Sequence, residues 1–359
     1  VTSSNVEPER PKWRVPHTYV LIFLFIIVAA IATYFVPAGA YDRVKDAHTG
    51  RMLVNPASFH YIKAAHIHFF DVFMAVPKGI KETSTIMAFL FIIGGAFSVI
   101  EKTGMLEAGV FRAVKYFQGR EKLLIPASML LFFVGGFCFG MAEETIIFVP
   151  IGVAIARSLG YDNIVGTAMI STGAAAGFSS GILNPFSVGV AHSIAELPMF
   201  SGIELRIVVY VFVLGSAILY TMWYASRVKK DLTKSYMYDL LDKNDEGKEA
   251  DMSSIPEFTT RHKLVLLAVI ACFGTIIYSI IYKNWGMAEM AGMFLLMGIL
   301  TGLVGGLNGN DIASEFVRGA KALTFGALLV GLARAITIVL TDAKVIDTIV
   351  YGMAQLLSG

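Results

Sequence analysis

Glu143 and Glu144 stand side by side between two apolar runs, Leu123–Met141 and Ile146–Ala156, and the hydroxyl of Thr145 follows at once. In low dielectric a lone carboxylate tends to protonate, and two neighbours repel each other's charge. Such a pair persists only where something offsets that cost. The options are a bound cation, a cationic amine or guanidinium on a ligand, a shared proton, or backbone donors at the N-terminus of the helix that follows. A second polar group lies downstream. Ser179 and Ser180 fall within Gly177-Phe178-Ser179-Ser180-Gly181, and Asn184-Pro185 comes just after. Proline removes a backbone donor and pushes the residue before it out of the α region. A discontinuous membrane helix frees carbonyls and amides that can hold ions and polar substrate groups. The alternative is a packing kink in a helix rich in glycine and alanine. The nearest bases in sequence, Lys122 and Arg157, belong at the base of the glutamate segment, so the charge balance favours a cationic or zwitterionic ligand over a bare dicarboxylate.

These groups need elements that carry them into a bilayer, and the composition supplies them. Charged residues make up 16% of the 359, against about 25% in soluble domains. Hydrophobic residues make up 56%, and the mean hydropathy is +0.67. The expected class is an all-α polytopic membrane protein, with the lipid bilayer as its surroundings. The net charge of +2 carries no basic stripe and argues against nucleic acid as a partner. Cys138 and Cys272 both sit in apolar runs, so neither a disulfide framework nor a cysteine metal site is expected. His60, His66 and His68 lack metal-ligand spacing, and no metal site is expected. No nucleotide motif is present, so the reading is of secondary transport without a cofactor, with Na⁺ or H⁺ as possible coupling ions.

Spanning helices are expected at 18–36, 84–101, 206–226, 263–282, 287–306 and 322–341. Basic clusters at Arg10/Lys12/Arg14, Arg112/Lys115/Arg120/Lys122 and Arg227/Lys229/Lys230 all fall on one side of this path. The positive-inside rule makes that side cytoplasmic. The organisation that follows is a cytoplasmic N-terminal segment 1–17, a first membrane repeat 18–228, a cytoplasmic loop 229–261, and the first part of a second repeat at 262–359. Within the first repeat, 122–159 reads as a re-entrant helical hairpin with Glu143, Glu144 and Thr145 at its tip. The limb 145–157 would be only about 20 Å long at 1.5 Å per residue. The alternative is a full crossing, with both glutamates in the outer headgroup region. Residues 163–195 read as the broken helix, interrupted first at 177–181 and again near Asn184-Pro185. The two together would form one polar site of Glu143, Glu144, Thr145, Ser179, Ser180, Asn184 and Pro185.

An internal repeat supports this path. Residues 71–110 align with 311–350 at a constant offset, matching Asp71 with Asp311, Gly79 with Gly319, Lys81 with Lys321, Val99 with Val339 and Val110 with Val350. The two copies share an order: an amphipathic approach, a basic residue, Gly, Lys, an apolar span, a second amphipathic helix. Since 84–101 runs inward and 322–341 outward, the copies are inverted, the usual plan of a secondary transporter. The second copy stops before counterparts of the hairpin and broken helix, so the second repeat is expected to be incomplete in this chain. Asp71 and Asp311 read as helix caps. Arg334, inside a span, either faces the substrate pathway or pairs with an acid. His192 reads as a proton relay on the pathway or as hydrogen-bonded packing. Trp13 and Trp285 suit interfacial anchoring.

Several segments resemble the YfcC-like family of the ion transporter superfamily, grouped with the C4-dicarboxylate anaerobic carriers. They are Pro16-His17-Thr18-Tyr19, Val36-Pro37-Ala38-Gly39, Gly94-Gly95-Ala96-Phe97 with Lys102-Thr103-Gly104, and Phe139-Gly140-Met141-Ala142-Glu143-Glu144-Thr145. Leu159-Gly160-Tyr161-Asp162 and Asn184-Pro185-Phe186 with Ser201-Gly202 and Arg206 complete the set. The resemblance implies inverted repeats, re-entrant hairpins, a homodimer and elevator-type alternating access in a bacterial-type inner membrane. It implies a secondary transporter, antiporter or symporter, of a small polar metabolite. A basic amino acid is the leading substrate and a C4-dicarboxylate the alternative. Sodium-coupled members that carry divalent anions have Ser-Asn-Thr at the hairpin tip. This chain has Glu143-Glu144-Thr145 there. A membrane enzyme using the glutamates as an acid–base pair is the distant alternative; no nucleophile or cofactor motif accompanies them.

Overall fold

The computed structural model describes residues 16–45, 52–63, 65, 67–117, 121–141, 143–181, 183–195, 197–238, 257–283 and 285–358. The expected N-terminal segment 1–17 and cytoplasmic loop 229–261 lie largely outside the described residues, as do Trp13 and His66. The side chains of Lys122, Glu143 and Glu144 are also outside the description. Among the described residues five helices are long and apolar enough to cross a membrane: Ser84–Lys102, Ile203–Lys230, Thr260–Lys283, Met287–Gly305 and Thr324–Asp342. They match five of the six expected spans to within a few residues. The sixth is shorter than expected. Helix α1 is Thr18–Ala32, not 18–36, and its last residues give way to turns before Pro37, whose ring disfavours the α conformation in the residue before it.

The chain divides into two compact units. The first comprises residues 1–87 and 324–359. Here α2 (Phe69–Glu82) and α1 pack on α13 (Thr324–Asp342), and α14 (Ile346–Ser358) follows. Gly79 of α2 lies against the backbone of Gly331 and Ala335, where a side chain would not fit. Ile26, Ala29, Ala75, Ala335, Ile338 and Val339 fill the core between these helices. Two short antiparallel ribbons join α1 to α2. Strand β1 (Gly39–Ala40) pairs with β4 (His60–Tyr61), and β2 (Arg43–Lys45) with β3 (Met52–Val54). Asp347 of α14 secures them, accepting from the Tyr41 N–H at 3.1 Å and from the Arg43 guanidinium at 2.9 Å.

The second unit is residues 88–323. It holds the greater part of α3 (Ser84–Lys102), then α4 (Met105–Phe117), α5 (Glu121–Phe139), α6 (Val149–Ser158), α7 (Asn163–Ser180), α8 (Val190–Ile194), α9 (Ile203–Lys230), α10 (Thr260–Lys283), α11 (Met287–Gly305) and α12 (Gly309–Ala322). Small residues bring its helices into backbone contact, the usual solution where lipid gives no drive to bury apolar area. Gly177 lies against the carbonyl of Phe133, Gly136 against that of Ala174, and Gly319 against that of Gly94. A Cβ on Gly173 would stand 2.5 Å from the Met129 oxygen, and one on Gly298 would stand 2.9 Å from Ala96 Cα.

The repeat is visible in the elements themselves. Helices α2 and α12 start and stop at residues 240 apart, and so do α3 and α13. Both approach helices carry the same cap. Asp71 accepts from the His68 N–H at 2.8 Å, and Asp311 from the Asn308 N–H at 3.4 Å, as read from the sequence. The partners cross over between copies: α2 packs on α13, and α12 meets α3 at Gly319 and Gly94.

One boundary needs correction. Residues 177–181 were expected to interrupt the broken helix. Instead α7 runs unbroken to Ser180, and the single break begins at Gly181. Gly177 serves close packing on α5, not flexibility. The Ser179 and Ser180 hydroxyls bond back to the carbonyls of Ala175 and Ala176, four residues earlier.

Candidate transport site

Helix α5 ends because Gly140 takes a left-handed φ of +66° and its N–H caps the Gly136 carbonyl at 3.1 Å. Residues Glu143–Phe148 then form a 3₁₀ helix that leads into α6. Pro150 falls in the first turn of α6, where a missing N–H costs nothing. A 3₁₀ helix rises about 2 Å per residue, so the limb 145–157 comes to about 22 Å, little more than the length read from the sequence. Both limbs rest on α7, and the 3₁₀ segment also touches it. Phe132 of α5 meets Phe148 edge-on at 5.4 Å, in a core with Met129, Met141, Ile155, Val165 and Met169. Thr145 is buried.

The break is built by Asn184. Its side-chain oxygen accepts from the backbone N–H groups of Phe186 at 2.9 Å and Ser187 at 3.2 Å. That caps a π turn, Pro185–Gly189, which continues into α8. π turns are rare and gather at functional sites. Asn184 has no exposed surface and Pro185 is buried beside it. Among the described residues, the Asn184 Nδ2 and Ser187 Oγ atoms are buried without a hydrogen-bond partner.

The end of α5 and the break meet. A Cβ at Gly140 would lie 2.6 Å from the Phe186 ring and 3.3 Å from Asn184 Oδ1. Phe186 in turn packs edge-on against Phe97 at 5.6 Å. Thr145, Asn184 and Pro185 are each buried within the second unit, and Glu143 and Glu144 fall in the segment between Gly140 and Thr145. Ser180 is buried with its hydroxyl proton engaged, while Ser179 is exposed and bonded to its own helix. His192 is buried in α8, and its Nε2 is 3.2 Å from an Arg206 guanidinium nitrogen. Guanidinium only donates, so Nε2 accepts and the ring proton sits on Nδ1. Arg334 belongs to the other unit. Its Nε is 2.8 Å from Glu82 Oε2, so of the two sequence readings the structure has it paired with an acid. Among the described residues no His, Cys, Asp and Glu cluster has the makings of a metal site.

Sequence reasoning missed two parts. Ser187 was not singled out, although its place two residues after an Asn-Pro cap was the signal. Asp162 was noted only within a resemblance. It is 1% exposed and accepts from Tyr224 Oη and Ser235 Oγ, each at 2.6 Å, and from the Val165 N–H at 2.9 Å. Tyr224 in turn accepts from the Tyr236 N–H at 3.2 Å and stacks on that ring. This cluster ties the start of α7 to α9 and to the segment after it. An aspartate before a helix is ordinary in sequence, and nothing local marks its distant partners.

A family model described as DcuC, C4-dicarboxylate anaerobic carrier, matches residues 15–359. The chain belongs to the C4-dicarboxylate anaerobic carrier family. This carrier is 34% identical over 387 residues to YfcC of Escherichia coli (strain K12), whose name proposes basic amino acid antiport. The match covers 97% of this chain and 76% of YfcC. A Haemophilus influenzae (strain ATCC 51907 / DSM 11121 / KW20 / Rd) protein is 27% identical over 99% of the chain and 78% of its own length. Two solved structures share the fold at 14% identity. The YdaH transporter of Alcanivorax borkumensis superposes with a TM-score of 0.61 over 96% of this chain and 74% of its own. MtrF of Neisseria gonorrhoeae, described within a class of antimetabolite efflux pumps, superposes with 0.60 over 92% and 70%. The carrier is thus a multi-pass membrane protein of a transporter family, as the resemblance implied.

Proposed function

We propose that this carrier is a secondary active transporter whose substrate binds between the tip Glu143-Glu144-Thr145 and the break at 181–187. The observation that carries the reading is the seating of Gly140, three residues before the tip, on Asn184 and Phe186 of the break. The glutamates set the charge of what is carried, as contacts to a cationic group or as proton or cation sites. A basic or zwitterionic amino acid suits that charge, and the name of YfcC agrees with it. A C4-dicarboxylate is the second reading, favoured by the family description.

The hairpin 122–159 is re-entrant in this proposal. Its second limb, about 22 Å over 145–157, is short for a full crossing and supports that reading. The exchange of approach helices between the copies supports an inverted repeat, which suits alternating access by an elevator motion in a homodimer. The basic clusters put the N-terminus in the cytoplasm in this proposal, and the family resemblance implies a bacterial-type inner membrane. The repeat and domain boundaries given above are part of the same proposal.

The test is uptake and exchange in proteoliposomes with labelled amino acids and dicarboxylates. Glu143→Gln and Glu144→Gln should each lower transport about tenfold or more, the loss of one charged contact, or shift its pH profile, with the melting temperature largely kept. Unchanged uptake, substrate choice and pH profile in both variants would make the carboxylates structural. Cysteine labelling at 143–145 tests the hairpin. Free reaction from the external bulk in every transport state would make it a full crossing.

A further inference from the structure

Asn184 offers its two ends unequally. Backbone N–H groups can only donate, so the atom that receives those of Phe186 and Ser187 is the amide oxygen. That oxygen is occupied by the cap and is poorly placed to ligate a cation. What remains is Nδ2, an atom that can only donate, in a residue with no exposed surface. Ser187 stands beside it, since its own N–H is one of the two that the amide oxygen receives. Its Oγ is likewise buried and without a partner among the described residues. That hydroxyl lies across the left-handed Gly181, 3.2 Å from where a Cβ would be. Buried donors in native proteins almost always meet an acceptor.

We propose that Asn184 Nδ2 and Ser187 Oγ are the donors that receive a carboxylate oxygen of the transported molecule. The proposal deepens the reading of tip and break as the transport site and rests on it. It divides the work at that site. The tip supplies negative charge for the cationic end or the coupling ion, and the break supplies donors for the anionic end. The coupling cation is then held without the Asn184 side chain. Ser187 becomes a specificity residue that selects molecules carrying a carboxylate.

The experiment measures binding to the purified full-length chain with labelled arginine, lysine and succinate. Each is competed with its carboxylate-free counterpart: agmatine, cadaverine and succinamide. For whichever probe binds, loss of the carboxylate should weaken binding about tenfold to a hundredfold. Ser187→Ala removes a hydroxyl that bonds nothing in the described chain, so it should fold normally. It should weaken the carboxylate probe about tenfold and leave its counterpart unchanged. Asn184→Asp keeps an acceptor for both backbone N–H groups but turns the donor into a second carboxylate oxygen. It should lose the carboxylate probe about a hundredfold while the melting temperature stays near that of the parent. If Glu143→Gln or Glu144→Gln weakens binding but Ser187→Ala and Asn184→Asp leave the discrimination intact, this assignment fails and the site reading survives. If none of the four variants alters binding, the site reading itself fails.

Discussion

In the helices of the repeat, charges meet in pairs. Glu82 takes Arg334 and Lys78 takes Asp342 on α2 and α13. On α3 and α12, Glu315 takes Arg318 at 2.7 Å and Lys102 at 3.6 Å. The hydrogen bond and the charge of Asp342 push the Lys78 ammonium above its ordinary range, so it stays protonated under all physiological conditions. Between Gly181 and Gly189 the same unit that holds α3 and α12 does the opposite: it buries an amide N–H₂ and a hydroxyl and gives them no partner among the described residues. An unmet polar group is costly in a packed interior, and where packing is this close such a cost marks a place built for something else. In the function proposed above, the repeat helices act as frame and the segment 121–195 holds the chemistry.

The sharpest way to break that comparison is to attack the packing both regions share. Gly177 on Phe133 and Gly319 on Gly94 are backbone-to-backbone contacts, one in each region. Gly177→Val and Gly319→Val should each cost about 3 kcal/mol or more, because neither neighbour is a side chain that can turn away. Gly274 has nothing within reach of a Cβ, and Gly274→Ala should hold or raise stability. Thermal melts in one detergent decide this. A Gly319→Val protein as stable as the Gly274→Ala control would remove α12 from its place on α3.

The frame was largely legible in the sequence, and most of the site was not. Long apolar runs fix spans, and a constant spacing fixes the repeat, so α3, α10, α11 and α13 fall almost where expected. Gly177 misled because glycine serves two ends. Read alone it looks like a hinge, and only the facing carbonyl of Phe133 shows it to be a contact. The 3₁₀ turn at 143–148 has no local sequence signature, and it lengthens its limb by only about 3 Å. Asp162 finds Tyr224 and Ser235 far along the chain, and no local pattern announces such partners.

A smaller effect sharpens the boundary of the chemical region at its base. Asp162 is buried and its three donors are all neutral, two of them hydroxyls at 2.6 Å. Asp162→Asn should cost about 2–3 kcal/mol, and Tyr224→Phe about 1–2 kcal/mol, since bonds to a charged acceptor are the stronger kind. If the cluster only anchors the frame, transport per folded molecule should be unchanged. Trypsin should then cut faster after Lys234, because the segment 231–238 is held through Ser235 and Tyr236. A transport defect without loss of stability would instead extend the chemical region to the base of α7.

The smallest effect concerns Arg334, and it decides whether the frame is chemically silent. Charge inside a span suggests a pathway, yet Arg334 and Glu82 satisfy each other at 2.8 Å with both side chains near half exposed. Pairs with that much exposure contribute about 1 kcal/mol or less. Removing one partner strands the other charge, whereas removing both leaves none behind. So Arg334→Met and Glu82→Met should each lower the melting temperature slightly. The double variant should recover part of that loss, and all three should transport at the parent rate per folded molecule. A cycle of melts and proteoliposome uptake reads both quantities on the same samples. If Arg334→Met alone abolished transport while the double variant stayed dead and stable, the guanidinium would be serving the substrate and not Glu82. The frame would then share in the chemistry.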